Sequence, residues 1–323
     1  MLWGPHEHKK APAARGRRAS LRAPQRERVG VGPHEHKKKM KRITSRQNPL
    51  VARYRSIARG EAADLLLLDG PHLVADALAA GLRLRQVAIA TEALARPDVR
   101  AIVGRLTQDR IETVTAAQPV MAALSPVRSS SAIVAIADRP APGGARLYAG
   151  PAPLVLIVSH IQDPGNVGAI VRVAEAGGAT GVVATGTCAD PFGWKALRGS
   201  MGSALRLPLA IREHADQAIA QARHRGCRIV ATVPRGGRSL FEADLTPALA
   251  VLIGGEGAGL SPAVVDAADA RVTVPMQPPV ESLNAAVTAA LVVYEARRQR
   301  AQNLEPRTDP RTSNPAPNPE PST

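Results

Sequence analysis

The chain has few aromatic side chains, few cysteines and, beyond Lys41, almost no lysine. Two Phe, three Tyr and two Trp among 323 residues mean that any core is assembled from Val, Ile, Leu and Ala. The two cysteines, Cys188 and Cys227, show neither metal-ligand spacing nor a disulfide framework. A reducing, cytoplasmic compartment is therefore expected. No apolar run approaches the ~20 residues of a membrane-spanning helix, so no membrane partner is expected. The basic start lacks the apolar segment of a secretory signal. No Walker A motif occurs, and no cluster in the body of the chain has the spacing of a metal site. The dinucleotide fingerprint fails too: DPGNVG follows Val158, and no suitably placed acidic residue follows GGEGAG at Gly254 to Gly259.

What the chain does have is concentrated positive charge. The formal net charge is +15, of which residues 1–42 supply +10 from 13 Lys or Arg and three Glu. The rest is only mildly basic, so much of the nucleic-acid signature lies in this segment. Residues 1–39 hold almost no large apolar side chains and are expected to be disordered, in a basic tail taken to run over 1–42. They contain GPHEHKK twice, at Gly4 to Lys10 and Gly32 to Lys38. The pairs His6/His8 and His34/His36 suit weak transition-metal binding, or simply a solvated tail. Six lysines lie at or before Lys41 and only Lys195 after it. Met40 is thus the expected natural start, which an intact-mass measurement on the native protein checks.

The remainder divides by pattern. Residues 43–142 read as a small α/β domain: a basic amphipathic helix after ITSRQNP, a buried strand LLLLDG, and a helix PHLVADALAAG closed by Gly81. Further short strands are expected at 87–90, 111–114 and 132–137. The arginines Arg46, Arg53, Arg55, Arg59, Arg83 and Arg85 offer phosphate contacts or a solvated face. Residues 143–153 form a Pro/Gly/Ala linker, and 301–323 a second disordered tail. Across 154–300, expected strands at 154–158, 181–184, 205–209, 228–232, 250–253 and 272–274 alternate with helices. That alternation predicts a parallel sheet covered on both faces.

Three strand–loop–helix units stand out. In SHIQDPGNVGAIVRVAEAGG (Ser159 to Gly178), Asn166 is the expected N-cap, and Ile170, Val173, Ala174 and Gly177 face the core. Arg172 is the only charge between Asn166 and Glu175 and calls for a reason. The second unit is VLIGGEGAGLSP (Val251 to Pro262). The third is VTVPMQPPVESLNAAVTAALVVYEARRQ (Val272 to Gln299), whose final helix sets Ala286, Val287, Ala290, Leu291 and Tyr294 at helical spacing. In order and spacing the three units resemble the motifs of the SpoU (TrmH-like) RNA ribose 2'-O-methyltransferases of the SPOUT superfamily. TSRQNP, DGPHLVADAL and SPVRSSSAIVAIA resemble pieces of the ribosomal-protein L30e-like domain that precedes many of them. Asp69-Gly70-Pro71-His72 departs from that family's Glu-Gly-x-Arg, and its Pro-Gln-Gly turn is missing near Ser129 to Ser131.

The resemblance implies an α/β fold in which a parallel-sheet trefoil-knot methyltransferase domain follows a small L30e-like α/β domain. It implies S-adenosylmethionine as cofactor, held by Gly254, Val274 and Leu283, with Gly255 and Thr232 as further candidates. Gly254 and Gly255 would let backbone amides approach a ligand, while Val274 and Leu283 equally suit plain core packing. Attack by a ribose hydroxyl needs its oxygen stabilised as the proton leaves. Arg172 would grip the adjacent phosphate and polarise the hydroxyl, because its own pKa above ~12 opposes a role as base. Asn166 would orient Arg172 or the ribose, Ser282 and Asn284 would add hydrogen bonds, and Glu256 would order its loop or pair with Arg172. The competing reading makes Asn166 and Ser282 helix caps and Arg172–Glu256 a buried ion pair. The expected partners are RNA (rRNA before tRNA) and a second copy of the chain, with no metal. A non-catalytic RNA-binding or ribosome-assembly protein on the same fold is the alternative function.

Overall fold

A computed structural model describes residues 40–127, 129 and 131–303. Residues 1–39 and 304–323, most of the two tails expected at 1–42 and 301–323, lie outside the described residues. The boundaries given to both tails are too generous. Lys41–Ile43 forms strand β1 and the last helix runs to Gln302. β1 gains ladder hydrogen bonds along the edge of β4 and buries Ile43, which is reason enough for so short and basic a strand to form.

The first half is a five-stranded sheet in the order β1-β4-β3-β5-β2, built from β1, β2 (Leu65–Asp69), β3 (Leu84–Ala90), β4 (Thr113–Ala116) and β5 (Ile133–Asp138). It is mixed: β1, β4 and β3 are parallel, and β5 runs antiparallel to both β3 and β2. Helices α1 (Pro49–Ala58), α2 (Pro71–Ala79), α3 (Pro97–Gln108) and α4 (Gln118–Leu124) cover it. Asn48 caps α1, its side chain accepting from the Leu50 amide, with Pro49 at the first helical position. Arg46 and Arg55 are tied to carbonyls of α4, and Arg59 and Arg85 are in ion pairs with Glu61 and Asp138. Arg53 and Arg83 have side chains without partners among the described residues. Asp69 is buried and accepts from Ser125 Oγ at 2.7 Å and from Ser131 Oγ, fixing both ends of the segment between them.

The second half is a seven-stranded sheet, β10-β12-β9-β11-β6-β7-β8, with every pair parallel. Its strands are β6 (Leu154–Ser159), β7 (Gly181–Thr185), β8 (Leu209–Arg212), β9 (Arg228–Thr232), β10 (Arg238–Ser239), β11 (Leu249–Gly254) and β12 (Ala270–Thr273). The expected strand at 205–209 is a correction: Leu205 belongs to helix α7 (Ser203–Arg206), and the strand starts at Leu209. Side chains alternate across the sheet. Leu154, Leu156 and Val158 join the face under α5 (Pro164–Gly177), α6 (Trp194–Ser200) and α10 (Ala285–Gln302). Val155 and Ile157 join the opposite face with α8 (Ala215–His224). Residues 144–148 form a 3-10 turn whose Leu147 is buried on that opposite face, so this linker is docked.

The two halves share one continuous core. At their junction Arg206 reaches Glu175 Oε1 at 2.8 Å and Asp76 Oδ1 at 3.3 Å, and Arg139 pairs with Asp190 while its guanidinium lies 4.7 Å from the centre of the Phe192 ring. The apolar stripe read in the last helix is split: Ala286 and Leu291 pack against the core and Val287 and Tyr294 do not. α10 buries Ala285, Ala289, Val292, Val293 and Ala296, leaving Val287 and Tyr294 about half exposed. Arg300, next to that face, donates to the carbonyls of Ala152, Leu245 and Pro247, and burial pushes its pKa down. No helix among the described residues is long and apolar enough to cross a membrane.

Candidate active site at the carboxyl ends of the parallel strands

In a parallel sheet all the loops at one end leave from strand carboxyl ends, where open α/β sheets bind their ligands. Here the loops after β6, β11 and β12 converge. Gly254 closes β11 opposite Ser159 of β6, and Thr232 ends β9 beside Val272 of β12. Between them lies a cavity of about 860 Å³ lined by all five expected cofactor residues, Thr232, Gly254, Gly255, Val274 and Leu283, and also by Glu256, Ser282 and Asn284. Leu260, Met276 and Thr288 are among its other wall residues. These three were not anticipated, since nothing in their local pattern separates them from ordinary packing residues.

The two glycines also have a packing reason. A Cβ on Gly254 would fall 2.4 Å from the carbonyl carbon of Gly259, and one on Gly255 would fall 2.1 Å from the His160 oxygen. Glycine is required there because neighbouring backbone comes close, while both residues line the cavity.

The helix cap of α5 is Asp163, not Asn166. Asp163 Oδ1 accepts from the Asn166 amide at 2.8 Å, with Pro164 at the first helical position. Asn166 therefore sits in the first turn with its side chain free. Its Nδ2 donates to Glu256 Oε1, and its Oδ1 accepts from Asn284 Nδ2 at 3.1 Å; Asn284 Nδ2 also lies 3.3 Å from Glu256 Oε1. Three residues from three separate segments, the first turn of α5, the loop after β11 and the N-cap of α10, thus form one hydrogen-bonded cluster at the cavity edge. Asn284 does two jobs, because its Oδ1 caps α10 by accepting from Ala286 N at 2.8 Å. Ser282, the other residue read as a cap, is not one. Its exposed hydroxyl lies on the cavity wall without a hydrogen-bond partner among the described residues.

Arg172 is placed differently from the expectation. Six residues beyond Asn166, it leaves the helix about 240° around the axis. It is exposed and has no hydrogen bond or ion pair among the described residues, so neither Asn166 nor Glu256 engages it. The buried Arg172–Glu256 pair does not exist. The cluster and the cation are separate elements of one helix and its neighbouring loops. Among the described residues no group of His, Cys, Asp and Glu is arranged to hold a metal ion.

Residues 153–294 match the model of the SpoU rRNA methylase family. The uncharacterized tRNA/rRNA methyltransferase slr1673 of Synechocystis is 33% identical over 263 residues, 80% of this chain and 93% of that protein. The chain belongs to the SpoU methylase family. Another relative, the Bacillus subtilis 23S rRNA (guanosine(2553)-2'-O)-methyltransferase RlmP, is 27% identical over 80% of this chain and the whole of that one. Among solved structures, the SpoU methyltransferase AviRb of Streptomyces viridochromogenes, in complex with the cofactor AdoMet, superposes with a TM-score of 0.72. It is 27% identical, over 79% of this chain and 99% of AviRb. The similarity to these SpoU proteins extends well beyond the family-model segment into the five-stranded half.

Proposed function

We propose that this SpoU methylase transfers the methyl group of S-adenosylmethionine to a ribose 2'-hydroxyl of RNA, with rRNA as the substrate class. The observation that carries the reading is the Asn166–Glu256–Asn284 cluster at the edge of the 860 Å³ cavity. The cavity fits the cofactor: Val274, Leu283 and Leu260 give apolar wall for an adenine ring, and the 254–260 loop gives backbone polar groups. When bound, S-adenosylmethionine supplies an electrophilic methyl group.

The chain's own residues do the rest. Asn166 and Asn284 hold the Glu256 carboxylate, which fixes the loop that forms the cavity edge. Ser282 presents a free hydroxyl for a hydrogen bond to the ribose. Arg172 carries a permanent charge with no internal partner, suited to a phosphate oxygen and to stabilising the developing negative charge on the ribose oxygen. The loops at 254–260 and 275–284 are read as crossings of a trefoil knot, and the five-stranded half as an L30e-like substrate-binding domain. Family membership supports both. The half-exposed Val287 and Tyr294 on α10 support pairing of two copies through that face, and sedimentation measures it. The alternative of a non-catalytic RNA-binding protein gives no reason for three polar side chains from three separate segments to meet at a cavity.

Calorimetric titration with S-adenosylmethionine tests the cofactor assignment. Saturable binding is expected, abolished by Leu283→Asp in a folded protein. Binding that Leu283→Asp leaves intact would place the cofactor elsewhere.

A further inference from the structure

Trp194 is the single tryptophan among the described residues and opens α6. It is half-buried and forms one wall of a groove of about 280 Å³. The other walls come from the five-stranded half: Arg55 and Arg59 at the end of α1, Ala123 near the end of α4, and Ser125 with Pro126. The groove shares no lining residue with the cavity at the strand ends.

Its rim is cationic. Arg55 Nε donates to the Ala123 carbonyl at 3.0 Å, which anchors the side chain while its terminal nitrogens have no partner among the described residues. Lys195, the one lysine beyond Lys41, holds its ammonium 5.6 Å from the centre of the Trp194 ring and is in no ion pair among the described residues. Arg198 lies one turn further along α6, exposed and likewise unpaired among the described residues. Arg59 alone is neutralised, by Glu61. The lip is held in place, since Ser125 Oγ donates to the buried Asp69 and accepts from the Val127 amide at 3.3 Å.

An aromatic face flanked by unpaired cations is the combination that holds unpaired nucleic acid. The ring stacks on a base of any identity, and the cations take the phosphates on either side. Packing at the junction explains a half-buried tryptophan, but not the uncompensated charges of Arg55 and Lys195 beside it, with Arg198 one turn along the same helix. We propose that this groove seats one unpaired nucleotide of the RNA substrate, its base on Trp194 and its flanking phosphates at Arg55, Lys195 and Arg198. The inference rests on the reading of the chain as an RNA-modifying enzyme and adds a second RNA contact to it.

The only other tryptophan in the sequence is Trp3, so full-length Trp3→Phe protein reports on Trp194 alone. Titration with single-stranded oligoadenylate is expected to quench its emission saturably, more weakly at higher salt and more weakly again with Arg55→Ala. In methyl transfer to total RNA, Trp194→Leu is expected to raise the KM for RNA about 5- to 150-fold, the worth of one stacked base. Affinity for S-adenosylmethionine stays unchanged, and Trp194→Phe recovers most of the loss because it keeps a stacking face. An unquenched Trp194, or a folded Trp194→Leu protein with the wild-type KM, overturns the proposal. If the unsubstituted protein methylates RNA while Trp194 stays silent, the groove inference falls and the enzymatic reading stands. If it neither binds cofactor nor transfers methyl yet quenches saturably, the groove stands and the enzymatic reading falls.

Discussion

Replacing Glu256 with Gln is the narrowest test of the cluster at the cavity edge. Glu256 Oε1 accepts from Asn166 Nδ2 and, at 3.3 Å, from Asn284 Nδ2. Glutamine keeps the shape and one acceptor oxygen but loses the charge. Hydrogen bonds to a charged group contribute ~1.5–3 kcal/mol, against ~0.5–1.5 kcal/mol for neutral pairs. The exposure of Glu256 and the length of the second bond put the difference at the low end, about 1–2 kcal/mol of lost positioning. If that positioning is needed at the transition state, kcat falls about 5- to 30-fold. Folding stability moves by less than about 0.5 kcal/mol, because the affected groups are accessible to water. Steady-state methyl transfer at saturating cofactor and RNA, beside thermal unfolding of both proteins, reads the two effects separately. An unchanged kcat refutes the role of the cluster. A fall in kcat matched by a comparable loss of stability would show that the cluster holds the fold and not the chemistry.

Arg172→Ala is expected to lower methyl transfer at least ~100-fold while the Kd for S-adenosylmethionine changes little, as for a group that acts only as charge develops; a parallel loss of cofactor affinity would count against that role. Gly168→Ala tests how α5 meets α6. The added Cβ would lie 2.4 Å from the Ala196 oxygen and 2.9 Å from the Ser200 nitrogen. Overpacking of ~1–3 kcal/mol opposes the ~1 kcal/mol that alanine adds within a helix, and denaturant unfolding should show a net loss of up to about 2 kcal/mol. A more stable protein would mean that the two helices separate easily. Glu175 gives a pH signature. Desolvation raises its pKa, but hydrogen bonds from Arg206 and Ser203 and the Arg206 charge more than offset that, so the carboxyl sits below its ordinary value. A depressed carboxylate contributes stability above its unfolded pKa and loses it as the pH falls through the folded one. The stability gap between wild type and Glu175→Gln, below about 1 kcal/mol for so exposed a pair, should therefore be present at neutral pH and vanish in acid. A gap that persists in acid contradicts the assignment.

Much of the fold was legible because glycine and proline mark the strand ends so clearly. Gly254 closes β11 and Pro164 opens α5, and from such marks the parallel sheet, its three site loops and the long last helix could be read. The errors have local causes. In DPGN both Asp163 and Asn166 are good caps, and only the position of Pro164 decides between them; the choice matters because it frees the Asn166 side chain for Glu256. The run from Leu205 to Leu209 alternates like a strand, yet Ser203 begins a helical turn that Pro208 stops. α10 is rich in alanine and valine on two sides, so spacing alone does not show which side faces the core. The distance between Arg172 and the Asn166 cluster is a matter of helical phase and of where two other loops end, and neither is a property of the local sequence. The groove at Trp194 was not visible at all, because its walls come from residues far apart along the chain.

The central claim is tested most directly by incubating the purified protein with S-adenosylmethionine labelled in its methyl group and total RNA from a deletion strain, then separating the product nucleosides. The account predicts label in a single 2'-O-methylnucleoside recovered from rRNA, and none with the Arg172→Ala protein. Label in a base-methylated nucleoside, or no label in RNA that the cell has left unmodified, would contradict it.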